Sequence, residues 1–277
     1  MNDIPIPILQ DRLPRGQADV AAARLPSMRP VVGPWLTFDG AYAAQMGKRR
    51  RLLQSCEADV YAQTPDGLAA ACGFVAAALD ASPDGFVRTG DHVRCPDGHE
   101  VTIDWRAPLR SIGAVLQQDV CILERRGDEH VLSGAVLCFP ASWTLAQKIG
   151  KPLIAIHDPV VDYDSAIATR VQRLFDGVQE GRPMWRANLL RYDKADLHQP
   201  RLENDPRPVG QPDAPDLRSE RQTILRPPQP DAVAFVIHTT VVAVEAPNGC
   251  DQRITVTRAT IVNTASRDLL GMVARPP

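Results

Sequence analysis

Few side chains in this sequence can hold a metal or move a proton at neutral pH, and their spacing limits what they can do. The chain contains six cysteines, Cys56, Cys72, Cys95, Cys121, Cys138 and Cys250, and no two of them have Cys-x-x-Cys spacing. That scatter argues against an iron–sulfur cluster, a zinc ribbon or a thioredoxin-like pair. The absence of Cys-x-x-Cys-His also excludes a covalently attached c-type haem. His92, Cys95 and His99 lie close together. Positions 92 and 95 nevertheless fall on opposite faces of one strand, and the turn Pro96-Asp97-Gly98 accounts for the segment. His130, His198 and His238 read as turn, loop and strand residues. His157 follows Leu153-Ile154-Ala155-Ile156 and precedes Asp158-Pro159, so its ring emerges from an apolar wall. Two readings of it stay open. One is a half-buried histidine ending a strand; the other is a ligand whose second nitrogen is fixed by Asp158 or a backbone carbonyl.

The elements that must position these groups can be read from periodicity and breakers. Residues 1–30 carry several prolines and no period, so they read as an arm laid over the core or partly disordered. Asp39 is a cap candidate for a helix over Ala41–Cys56, and a second, alanine-rich helix covers Leu68–Leu79. Strands are expected at Val93–Cys95, Glu100–Ile103, Val120–Glu124 and His130–Phe139, the last two joined at Gly127-Asp128. Short helices are expected at Pro108–Gln117 and, capped by Ser142, at Thr144–Ile149; an amphipathic helix covers Asp164–Gln179. Met184–Tyr192, Gln222–Leu225 and Ala232–Val244 read as strands, His198–Leu217 as a long surface loop and Ser266–Val273 as a helix. Antiparallel pairs interrupted by helices, without strict βαβ alternation, give an α+β fold.

Composition narrows the function class. The 277 residues are 44% hydrophobic with a net charge of -2, enough apolar material to enclose a cofactor and no basic excess for nucleic acid. The run Lys48-Arg49-Arg50-Arg51 reads as a solvated helix face. No apolar stretch reaches the roughly 20 residues a membrane helix needs, and the amino terminus lacks a signal-peptide pattern. A cytoplasmic protein is therefore expected.

The most informative stretch is Cys138-Phe139-Pro140-Ala141-Ser142-Trp143, continuing through Lys148-Ile149-Gly150 to Ile154-Ala155-Ile156-His157-Asp158-Pro159-Val160. Further blocks are Met28-Arg29-Pro30 with Trp35, Tyr42 with Lys48-Arg49, Gln118 to Leu123, Arg182 to Asn188, and Glu220-Arg221-Gln222-Thr223. In this order they resemble the α-subunit of the haem-dependent oxidative N-demethylases, over most of residues 28–245. The resemblance implies a PAS-like antiparallel sheet with surrounding helices, over a domain of residues 31–250 followed by a divergent tail, 251–277. It implies haem b (iron protoporphyrin IX) with His157 as the axial ligand, Cys138 being the competing one.

The remaining roles follow the same blocks. Arg221, Arg186 and Lys148 are cations for haem propionates or iron-bound oxygen, each open to a structural ion pair instead. Asn188, Gln222 and Thr223 would line the pocket, unless they only make cross-strand hydrogen bonds. Asp119 and Glu220 are the carboxylates for a cationic amine and its proton, unless they are surface or capping groups. The implied reaction uses O2 to oxidise an N-methyl group of a small secondary amine such as dimethylamine, releasing formaldehyde. No Gly-x-Gly-x-x-Gly fingerprint is present, so electrons would come from a separate reductase subunit carrying flavin and an iron–sulfur centre. The alternatives are a non-catalytic haem-binding PAS-like sensor or carrier, and a member that has lost haem. Two departures from the family pattern stand out: His238, where arginine is usual, and Gln252–Ala265 in the tail.

Overall fold

Runs dense in valine, isoleucine and leucine suit a pleated, buried surface, and they build the middle of a seven-stranded antiparallel sheet. The computed structural model describes residues 6–22, 28–157, 165–205, 213–229 and 231–244. Its ten strands are β1 (Arg29–Pro30), β2 (Tyr61–Gln63), β3 (Val87–Thr89), β4 (His92–Arg94), β5 (Glu100–Thr102), β6 (Asp119–Arg126), β7 (Glu129–Val136), β8 (Met184–Tyr192), β9 (Asp216–Leu225) and β10 (Ala232–Ala243). The helices are α1 (Gln17–Ala22), α2 (Tyr42–Ser55), α3 (Glu57–Val60), α4 (Leu68–Asp80), α5 (Pro108–Gly113), α6 (Leu153–His157) and α7 (Ser165–Asp176). The large sheet runs β1-β8-β9-β10-β6-β7-β2, and β3-β4-β5 form a separate small one. The α+β class expected from the sequence is what the chain adopts.

Strand alternation sends side chains to two faces, and each face carries its own apolar cluster. One face holds Val120, Ile122, Ala234 and Val236 against Met46 and Leu53 of α2, Phe74 and Val75 of α4, and Leu109 and Ile112 of α5. The other holds Cys121, Leu123, Phe235, Ile237 and Ile224 against Trp143, Leu153 and Ile156 of α6, and Val171 and Phe175 of α7. The β6–β7 hairpin turns at Gly127-Asp128 as its sequence demands, with Gly127 at φ 63°.

Three local readings differ from the structure. Ser142 does not cap a helix; it sits at φ 72°, and only Leu145–Gln147 winds a single tight turn. Leu153–Ile156, apolar enough to pass for a strand, is a short helix begun after Pro152, a residue pre-set for a helix start. β9 starts at Asp216, six residues before the expected Gln222, because its polar residues are buried and paired rather than solvated. The amino-terminal arm is part of the fold where it is described. Its helix α1 is joined to the sheet by the Gln17 amide on Ser219, and β1 forms the sheet edge. The expected helix at 266–273 and the departure at 252–265 lie outside the described residues.

Candidate functional site

Position 157 closes α6. Gly150 donates its N–H to the Leu132 carbonyl, Val131 bridges Pro152, and Ile156 donates to the Pro152 carbonyl, which fixes where the short helix begins against β7. The His157 ring is fully buried, and its Nδ1 lies 2.5 Å from the Leu153 carbonyl oxygen. A carbonyl can only accept, so Nδ1 carries the proton in this contact. Metal-binding histidines commonly hold one ring nitrogen on a backbone carbonyl in the same way. The other proposed partner, Asp158, lies outside the described residues.

The face of the sheet that packs Ile156 also carries a buried polar strip. The register sets Arg186 opposite Gln222, Asn188 opposite Glu220, and Glu220 opposite Thr239. Alternation therefore puts all five on the side of Ile224 and Ile237. Glu220 is the centre of the strip. Its carboxylate accepts from Arg218 Nε at 3.2 Å, Asn188 Nδ2 at 3.1 Å and Gln222 Nε2 at 3.4 Å, while its backbone N–H donates to Asn188 Oδ1. Beside it, the buried Thr239 hydroxyl has no hydrogen-bond partner among the described residues.

Arg218 was not singled out in the sequence. It is buried, and its guanidinium also donates to the carbonyls of Phe139 at 2.6 Å and Leu197 at 3.0 Å. The one signal that could have found it is the alternation Arg218, Glu220, Gln222, which places three polar groups on one side of a strand.

Other expected site residues are placed elsewhere. Arg221 and Thr223 alternate onto the opposite face, where the Arg221 guanidinium stacks 4.1 Å from the centre of the Trp185 ring. Burial lowers the Arg221 pKa, and its Nε has no hydrogen-bond partner among the described residues. Asp119 has both oxygens engaged: Arg49 at 2.5 Å and the Cys138 N–H at 2.7 Å on Oδ1, the Phe139 N–H at 2.8 Å on Oδ2. That makes it an anchor for the chain leaving β7. Lys148 is likewise occupied, by the Ile156 carbonyl and Glu203.

Among the described residues the cysteines add no second centre. Cys138 packs in the cluster opposite α6, and burial pushes its thiol up to about 12, against the opposing pull of Arg49. A thiol so disfavoured as thiolate is core. His92 meets the Thr102 hydroxyl, and Cys95 donates its N–H to the His99 carbonyl. Among the described residues no three His, Cys, Asp or Glu side chains group as a metal site would require.

His238 belongs to a separate buried network on the α2 side. Its Nε2 donates to Asp39 Oδ2 at 3.0 Å, while Gln118 approaches Nδ1 and Gln117 donates to Asp39 Oδ1. Burial opposes ionisation of Asp39, yet His238, Gln117 and Gln10 outweigh it and hold the carboxyl well below the usual carboxylate range. A depressed folded pKa adds stability above the unfolded value of about 3.9, and that stability is lost as pH falls below it. Asp39→Asn should therefore flatten the fall in unfolding free energy between about pH 4 and pH 2. Urea melts across that range measure it; a slope equal to wild type would contradict the assignment.

A groove of about 510 Å³ opens beside β1, between Val31, Val178, Arg182 and Met184, and none of the candidate residues lines it. Among the described residues no helix is long and apolar enough to cross a membrane. Residues 28–268 match the model of a family described as haem-dependent oxidative N-demethylase, alpha subunit-like. No curated protein matches the chain.

Proposed function

The chain belongs to the haem-dependent oxidative N-demethylase, alpha subunit-like family, and from that premise we propose that it binds haem b through His157 and oxidatively N-demethylates a small secondary amine such as dimethylamine. The observation that carries this reading is the His157 imidazole, fully buried, with Nδ1–H committed to the Leu153 carbonyl. Leu153 and Ile156 share one apolar cluster with Ile224 and Ile237, and Arg186 and Thr239 project from the same face of the sheet, the Thr239 hydroxyl with no hydrogen-bond partner among the described residues. When bound, haem supplies the oxygen chemistry that these side chains cannot.

The protein's own share is placement. His157 would hold the haem iron. Arg186 would offer charge to a propionate, and Asn188 and Gln222 keep Glu220 in one orientation. Glu220 receives the substrate ammonium and takes its proton, so that the neutral amine presents its N-methyl group. The apolar wall keeps water away. Arg221 and Thr223, on the far face, have no part in this pocket.

Electrons are assigned to a separate flavin and iron–sulfur reductase, and an alpha subunit-like family supports a system of several subunits. The PAS-like description of the sheet and a cytoplasmic setting belong to the same proposal. Incubating the haem-loaded chain with dimethylamine, O2 and a surrogate reductase should release formaldehyde. Haem binding without formaldehyde would instead support a sensor or carrier. Glu220→Gln should raise KM for the amine about 10–100-fold, the worth of one charge-assisted hydrogen bond, and should lower kcat as well, since the proton acceptor is lost. An unchanged KM would remove Glu220 from substrate binding.

A further inference from the structure

We propose that Lys148 is a positioning residue for the His157 imidazole, acting through an ammonium clamp that joins the end of α6 to the segment 193–205. The proposal rests on His157 being the haem ligand. The Lys148 side chain is 5% exposed, and its Nζ lies 2.6 Å from the Ile156 carbonyl oxygen and 2.7 Å from Glu203 Oε1. That carbonyl belongs to the peptide bond leading into His157. A helix of five residues has almost no stability of its own, and its last carbonyls have no partner within the helix. Lys148 supplies such a partner, with a full positive charge at the helix end that favours one.

The other half of the clamp is itself fixed. Glu203 donates its N–H to Gln147 Oε1 at 3.1 Å. The segment that carries it is tied to the sheet by Arg218 on the Leu197 carbonyl, by Ser142 N–H on the Gln199 carbonyl, and by His198 facing the Cys138 carbonyl. Hydrogen bonds, with the chain between residues 197 and 203, thus connect β9 to Glu203, Lys148 and the backbone beside His157. The Leu153 bond sets how the ring turns about its own helix; the clamp sets where that helix stands. Burying an ammonium is costly unless it is fully paired, and here both partners serve the same fixed point.

Lys148→Met keeps most of the unbranched side chain and removes the ammonium. It should release haem to apomyoglobin about 10–100-fold faster than wild type, the usual cost of losing an outer-shell partner. The ferric EPR signal and Soret band should broaden or shift, which loss of a merely structural residue elsewhere would not produce. Glu203→Gln, at a side chain 31% exposed, should move both readouts in the same direction by less. Should Lys148→Met fail to fold, Glu203→Gln decides alone. Wild-type release and spectra in the folded variants overturn the clamp. His157→Ala, run beside them, separates the two ideas: a wild-type spectrum there sinks the ligand assignment, whereas lost ligation there with unchanged clamp variants sinks only the clamp.

Discussion

His157→Ala is expected to give a folded chain that no longer holds haem. As the proposed iron ligand its removal should cost more than the roughly 10–100-fold assigned to an outer-shell partner, so affinity should fall by at least about 100-fold. Stability should suffer far less. The Leu153 carbonyl loses its donor, at about 1–3 kcal/mol for a buried group left unpaired. Haemin titration followed at the Soret band measures the first effect, and far-UV circular dichroism with urea melts the second. Added imidazole should restore part of the band, because the vacated space has the shape of that ring. A wild-type Soret band in the alanine variant would end the haem-ligand reading and, with it, the proposed reaction.

Asp119→Ala is expected to damage the fold rather than the chemistry. Its partner Arg49 is 0% exposed, donates Nε to the Gly113 carbonyl and sits 5.3 Å from the centre of the Phe139 ring. Removing the carboxylate leaves a buried guanidinium uncompensated and strips the acceptor from two backbone N–H groups. Breaking such a pair costs about 3–5 kcal/mol. The urea midpoint should drop accordingly with little change in m. Asp119→Asn keeps an acceptor and should lose less. If Asp119→Ala kept wild-type stability and instead raised KM for the amine, the anchoring role would be wrong and the substrate role expected from sequence would return.

The contrast between Asp119 and Glu220 explains how much of the site was legible. Both are acidic residues in segments that resemble the family, and nothing in either segment tells them apart. In three dimensions, Asp119 starts β6 where Arg49 of α2 and the backbone after β7 converge on it. Glu220 lies mid-strand on the face that also packs α6. Similarly, Arg221 follows Glu220 directly, yet a one-residue step along a strand reverses the face. Read as a block, Glu220-Arg221-Gln222-Thr223 looks like one cluster; folded, it divides into two pairs, back to back.

What the sequence determined by itself was local or compositional. Helices expected over Ala41–Cys56 and Leu68–Leu79 and found at Tyr42–Ser55 and Leu68–Asp80, the hairpin turning at Gly127-Asp128, the strand Met184–Tyr192, the α+β class and the family all follow from neighbouring residues and their order. Only the tertiary structure decided which charges are already spent. Lys148, Asp119 and Arg218 find their partners at residues 55, 70 and 79 positions away. No periodicity encodes such a pairing, because it depends on which strand lies beside which. The choice of helix for Leu153–His157 has the same origin: an apolar run of that length suits either state, and the pairing of Pro152 with β7 and the Lys148 ammonium at the other end settle it.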